Sequence, residues 1–489
     1  MSEEAPRLRD VLTPILNRFP MVERPTYHVH FRTKLWWTVG ILLLYFALCN
    51  IPLFGLSPES RELFGRFRAI FAGESFSLMA LGIVPIVDAS IVLQLLVGAQ
   101  IIKLDLSDPD DQAFYQGLQK LLVVFFTILM GLTYVVGYYY PDPGIAEKLG
   151  VSLRFVSFLL FVQVCLGGLL IYFMDEVVSK WGIGSGVGLF ILAGVSQQIV
   201  TGLINWVPDE TGLAVGVIPR WIQISTQLSL YEILGGGITF LFEHGLIALF
   251  TTIAIFFIVV YIESTRIEIP LAHSLVRGAR GRFPVKLLYA SVLPMILVRA
   301  LQASIQGFGR LLYAKGVTLF GTFEEGRAVS GLMYYLDPIS SPYDWFPTLV
   351  RVAYPNVEGW QVALRVMTDI SFMVVGGAIF ALFWITTTGM GPKDIARQIY
   401  SAGLQIPGYR RNPAAIERLM ERYIPRIAIL GGAILGALCV FANMLGTLGR
   451  TTGTGLLLAV SIAYGLYEQM ASEQVMEMYP ALRKFLGEE

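Results

Sequence analysis

Few residues in this chain could do chemistry, and most of those stand where an ionised or reactive group is costly. Asp88 lies inside the apolar run 78–104 (LMALGIVPIVDASIVLQLLVGAQIIKL) and Arg299 inside a second run, 286–308, where charges mark a functional path or a buried pair. Asp88 therefore fits either a functional role or a structural salt bridge, whereas Asp369, at the start of the run 368–388, reads as interfacial. His28 and His30 form an H-x-H with no third ligand nearby, so no metal site is expected. Cys49, Cys165 and Cys439 each fall in apolar sequence, where a free thiol behaves as a small buried hydrophobe. The stretch WGIGSGVGLF spaces Gly182 from Gly186 and Gly184 from Gly188 by four residues, a pattern that lets helix backbones approach closely. It lacks the preceding strand and the following Lys-Ser or Lys-Thr of a phosphate-binding loop. With no H-E-x-x-H and no nucleophile with base and orienter at recognisable spacing, the chain is expected to be no enzyme and to hold no cofactor.

The elements that carry these residues belong in a membrane. Of 489 residues 55% are hydrophobic and 15% charged, with a mean hydropathy of +0.63 and a formal net charge of +0, so the class is a polytopic membrane protein. Spans are expected at about 34–54, 76–102, 114–138, 152–174, 184–204, 241–262, 286–308, 368–388, 425–446 and 452–471. Pro85 inside the second run predicts a kinked or broken helix, and non-helical backbone at membrane depth implies a protein-lined cavity. Upstream of it, residues 57–77 mix Arg61, Arg66 and Arg68 with Phe64, Phe67, Ile70 and Phe71, which predicts a short amphipathic helix outside the span. Residues 7–19 read as a helix in the membrane surface, and no apolar core precedes Lys34, so no cleavable signal peptide is expected.

Orientation follows from Lys and Arg near the span ends. The N-terminal arm 1–33, the connection 263–285 and the connection 389–424 are arginine-rich and fall on one side, which predicts that they and both termini, including the tail 472–489, are cytoplasmic. On the other side lie the connection 205–240 and a long segment, 309–367, whose turn residues predict a folded cap. The halves 34–204 and 241–471 exchange the side of their long first connection, as an inverted-topology repeat would, although an unsymmetrical ten-helix bundle fits the same pattern.

Four stretches, taken in order, resemble one family. Residues 79–103 (MALGIVPIVDASIVLQLLVGAQIIK), 175–198 (DEVVSKWGIGSGVGLFILAGVSQQ), 261–296 (YIESTRIEIPLAHSLVRGARGRFPVKLLYASVLPMI) and 387–447 are similar to the SecY family, the large subunit of the protein-conducting channel. EIPLAH and FANMLG resemble its archaeal and eukaryotic branch. The resemblance implies an all-α fold of about ten transmembrane helices in two inverted halves around a central hourglass pore, with a short plug helix. It assigns Ile83, Val87, Ile183, Val187, Ile296 and Leu438 to a constricting pore ring, and Ile83/Val87 and Ile183/Val187 have the four-residue spacing of one helix face. A ring of aliphatic side chains dewets a narrow neck yet yields to a passing peptide. The same resemblance places Phe64, Phe67, Ile70 and Phe71 in the plug and Asp88, Gln94, Met130 and Ser304 at a lateral gate; Met130 stands where some relatives carry a carboxylate. Arg266, Arg410 and Arg411 match positions that contact the ribosome or a cytosolic motor, and clustered guanidiniums suit an RNA phosphate backbone.

The function so implied is passage of unfolded secretory polypeptides across the cell (plasma) membrane, with release of transmembrane segments sideways. Implied partners are small subunits of SecE/gamma and beta type, the ribosome or a motor, signal sequences, nascent chains and membrane lipids. The alternatives are a secondary transporter with a midplane binding site, toward which only Asp88 points, and an intramembrane enzyme, which needs a buried dyad.

Overall fold

The computed structural model describes residues 20–478 apart from 28, 59, 61–71, 75, 99–100, 103, 105–108, 210–211, 228–234, 236, 274–279, 288–292, 315, 325–326, 355–356, 389, 402–403, 406–412 and 450. Ten helices stand at the positions expected for spans. In the first half they are α1 (Phe31–Cys49), α2 (Val84–Gly98), α3 (Pro109–Gly137), α5 (Leu153–Trp181) and α6 (Gly186–Ile204). In the second they are α9 (Leu246–Ser264), α10 (Leu293–Ala314), α13 (Gly359–Thr387), α15 (Pro413–Leu445) and α16 (Gly453–Met478). Among the described residues, seven of these are long and apolar enough to cross a membrane. The other three are α2, α10 and α16. Helix α2 has 15 residues and α10 buries Arg299, Gln302 and Gln306, so protein rather than lipid covers their polar groups.

Helix packing reveals the symmetry that the loops only hinted at. Within the first half α2 packs on α3, α3 on α5, α1 on α5 and α6, and α5 on α6. Within the second, α10 packs on α13, α13 on α15, α9 on α15 and α16, and α15 on α16. Each of these five pairs has its counterpart in the other half, and the halves meet at α2 against α10 and α6 against α16, which are counterparts, besides contacts of α13 on α2 and of α1 on α16. Because each half has an odd number of spans, the second runs through the membrane upside down, which makes the fold an inverted-topology repeat.

Pro85 does not break a helix. It is the second residue of α2, where no intrahelical N–H is lost, and the backbone ahead of it is a chain of turns with positive φ at Ala72 (47°), Phe76 (59°) and Gly82 (53°). Met79, Leu81 and Ile83 in this segment are buried, so irregular backbone lies inside protein, where the Tyr45 hydroxyl donates to Ala72 O (3.0 Å) and Leu78 N–H to Ile51 O (2.9 Å). Gly167 of α5 permits this path: a Cβ there would stand 1.7 Å from Leu78 O.

The connections are folded as well. Between α3 and α5 lies α4 (Pro143–Leu149), and between α6 and α9 lie α7 (Val217–Gln227) and α8 (Gly237–Glu243). Strands β1 (Arg266–His273) and β2 (Arg280–Lys286) form an antiparallel hairpin with Arg266 opposite Lys286, and β5 (Leu404–Gln405) adds to β1, so the two arginine-rich connections share one sheet. The segment 389–424, expected as a loop, is mostly helical: Ile395 and Ile399 of α14 (Pro392–Ser401) pack on Ile416, Met420 and Ile424, and α15 begins at Pro413. Opposite the hairpin, β3 (Phe323–Glu324), β4 (Arg327–Ala328), α11 (Gly331–Leu336), a 3-10 turn at Pro342–Asp344 and α12 (Pro347–Ala353) make a cap between α10 and α13.

Candidate functional site

One aliphatic core joins both halves. Ile83, Val87 and Ile296 are buried in it, and Val187 and Leu438 pack against it half-buried. Ile83 precedes α2 by one residue but keeps helical register, because Val87 N–H donates to Ile83 O at 3.0 Å. Ile183 does not share that relation with Val187. Helix α6 starts only at Gly186, after Gly184 at φ +79°; the Ser185 hydroxyl caps Gly188 N–H (3.2 Å) and Asp175 accepts from Val187 N–H (2.8 Å). The Ile183 N–H donates to the Thr38 hydroxyl (3.0 Å), and the adjacent Gly184 abuts Leu466 and Gln469 of α16. Ile183 is thus buried outside the shared core, and Ile191, one turn beyond Val187 on the same face of α6, occupies the core instead. Four-residue spacing alone could not locate the start of α6, which a glycine in left-handed conformation delays.

On the cap side, a cavity of about 990 Å³ is lined by Tyr45, Gly73, Gln197, Thr201, Arg327 and Thr451, among others. The expected plug residues Phe64, Phe67, Ile70 and Phe71 lie outside the described residues, as do Arg410 and Arg411.

Of the expected gate residues, Asp88 on α2 is buried and accepts a hydrogen bond from the Ser304 hydroxyl on α10 (3.4 Å), linking the two halves. Among the described residues no ion pair to Asp88 is formed. Gln94 is buried on α2, and Met130 of α3 packs half-buried against the core, an apolar contact where a carboxylate would need a partner. Gln119 on α3 donates to Ser90 on α2 (3.0 Å), so α2 is tied to its own half by a separate contact.

Charge is paired in places that the sequence did not disclose. Arg266 binds Glu468 of α16 (2.8 Å), which also takes Lys286, so the hairpin's first and last residues share one carboxylate. Asp369 is not interfacial: its side chain is 0% exposed and pairs with Arg299 at 2.9 Å. Arg365, one turn earlier on α13, is equally buried against Asp337 (2.8 Å) between the rings of Tyr334 (4.9 Å) and Tyr354 (5.2 Å). The signal available for both was an arginine and an aspartate four residues apart at the entry of an apolar run.

This architecture has close counterparts. The family profile described as SecY matches residues 77–467, and the profile described as the plug domain of Sec61p matches residues 43–75. The protein translocase subunit SecY of Archaeoglobus fulgidus is 55% identical over 485 residues, which cover 98% of each chain. Among solved structures, "The structure of a protein conducting channel" superposes with a TM-score of 0.79 at 37% identity, covering 97% of this chain and 99% of its own. "Sec61 in the Canine ribosome-channel complex from the endoplasmic reticulum" gives a TM-score of 0.75 at 37% identity with the same coverage.

Proposed function

Because the chain belongs to the SecY family and is a multi-pass subunit of a protein-conducting channel, we propose that unfolded polypeptide crosses it through a neck formed by Ile83, Val87, Val187, Ile191, Ile296 and Leu438. What carries this reading is the single aliphatic core that receives side chains from α2, α6, α10 and α15 of both halves. Aliphatic side chains at mid-span give water and ions no hydrogen-bond partner, so a closed neck is dry, yet no covalent or ionic bond must break for it to widen. Ile183, expected in this ring, is left out of it for the reasons given above.

Transmembrane segments leave sideways between α2 and α10, where Ser304 and Asp88 provide a cross-seam hydrogen bond, with Gln94 and Met130 on the neighbouring surfaces. The match of residues 43–75 to a plug domain supports Phe64, Phe67, Ile70 and Phe71 as part of a plug in the cavity next to the neck. The hairpin face is cytoplasmic, in keeping with its arginines, and it carries both termini; the membrane is the cell membrane. There the chain engages the ribosome or a motor through Arg410 and Arg411, and similarity to a channel solved in a ribosome–channel complex supports the ribosome. Arg266, expected at the same contact, also ties the hairpin root to Glu468. Small subunits of SecE/gamma and beta type complete the channel and a bound partner supplies the energy.

The test is a photo-crosslink from a stalled secretory nascent chain together with ion conductance of the reconstituted complex. Crosslinks at Ile191 and Ile296, and raised conductance for Ile191→Gly and Ile296→Gly but not for Ile183→Gly, are expected. Unchanged conductance in both of the first two variants overturns the neck.

A further inference from the structure

The two sides of α10 are held very differently. Toward α2 it makes the Ser304–Asp88 hydrogen bond of 3.4 Å. Toward α13 and the cap it is bound by a buried network. Asp369 Oδ1 accepts from Arg299 Nη1 (2.9 Å) and Gln302 Nε2 (3.0 Å), and Asp369 Oδ2 accepts from Ile339 N–H of the cap (3.2 Å). Arg299 Nη1 also donates to Gln302 Oε1 (2.6 Å), Gln302 Nε2 to Leu336 O (3.1 Å) and Gln306 Nε2 to Met333 O (2.8 Å). The cap segment 333–339 that receives these bonds is fixed in turn to α13, where Arg365 donates to the carboxylate and the carbonyl of Asp337.

Arg299, Gln302 and Gln306 recur at helical spacing along α10, so one stripe of the helix is committed to α13 and the cap. Ile296 lies one turn before Arg299 on α10, and both are buried. The ion pair therefore stands one turn along α10 from the neck residue Ile296. A buried pair of this kind adds little net stability over an apolar one, but loss of one partner strands a charge in a water-free interior.

We infer that Arg299, Gln302 and Asp369 are positioning residues for the neck and the lateral gate. They fix the rotation of α10 about its axis, hold Ile296 in the neck and make the cap part of the gate, so that a load on the cap acts on α10. This rests on the neck and gate proposed above.

The test uses the assembled complex in liposomes and reads idle ion conductance and passage of clients with disrupted signal sequences. Asp369→Asn is expected to raise both at least about tenfold, since a broken buried pair favours any state that lets water reach the stranded guanidinium. A disulfide across the seam, from Asp88→Cys with Ser304→Cys, is expected to return Asp369→Asn to within about twofold of the crosslinked parent, because it holds α10 by its other side. A leak that persists with the seam crosslinked, or conductance unchanged in Asp369→Asn, overturns the inference. If Asp369→Asn fails to assemble, Gln302→Met, which leaves the ion pair in place, is read by the same two outcomes. Ile296→Gly separates the readings: if it leaks while the network variants do not, the lock fails and the neck stands, and if it too is silent, the neck fails.

Discussion

Neutralising Glu468 should loosen the root of the hairpin without unfolding the helices beneath it. Its carboxylate takes Arg266 at 2.8 Å on one oxygen and Lys286 on the other, and these two cations are register partners at the open end of β1 and β2. Lys286 also lies 5.8 Å from the ring centre of Tyr464, so both links end on α16. The three side chains are 27%, 36% and 43% exposed, and ion pairs that wet are worth about 0.5–1 kcal/mol each. Two of them on one carboxylate give about 1–2 kcal/mol, which is about 5- to 30-fold in the equilibrium between a fastened and a released root. Glu468→Gln keeps the shape and one acceptor, so its effect should fall toward the lower end of that range. The amide of Leu287, which donates to Thr265 O at 3.1 Å where the hairpin closes, reports the opening by hydrogen exchange. Exchange there should be faster in Glu468→Gln at low salt, and the gap should close near ~1 M salt, where screening acts over about 3 Å. An unchanged rate at low salt, or a gap that salt does not reduce, refutes the reasoning. Translocation driven by a partner docked on this face should slow in the same variant, because α16 no longer feels the hairpin.

Two further outcomes are expected. Arg365→Met leaves Asp337 without its guanidinium and removes the cation between Tyr334 and Tyr354, so it should destabilise the cap by about 3–5 kcal/mol, seen as faster proteolysis within residues 315–358 while the helices stay protected. Burial and, secondarily, the charge of Arg220 hold His244 below the usual histidine pKa, so the folded corner between α8 and α9 binds a proton less readily than the opened one. Its stability should therefore be full above the ordinary histidine value and fall as pH drops through that value toward the lowered one; exchange of the Gly245 amide, which donates to Phe242 O, should speed up on acidification, and His244→Gln should abolish that pH dependence.

The membrane class and the positions of the ten span helices were legible in the sequence, because hydropathy is a local property that needs no folded partner. The inverted symmetry was legible only as a swap of loop lengths; it became definite when five helix pairs of one half found their counterparts in the other. Spacing put Val87 one helical turn from Ile83 on the same face, as the Val87–Ile83 backbone bond has it, but it did not hold for Ile183 and Val187, since nothing in WGIGSGVGLF marks the residue at which Gly184 stops being loop and α6 begins. Pro85 misled for a related reason: its effect depends on whether it stands inside a helix or in its first turn, and buried turns upstream decided that. The charged residues were the least legible. A carboxylate in an apolar run is costly wherever it stands, but whether Asp88 meets a hydroxyl, Asp369 a guanidinium or Glu468 two cations depends on which helices touch, and their partners are 216, 70, 202 and 182 residues away in the chain. Local sequence sets the cost of burying a charge, and only the tertiary structure brings the group that offsets it.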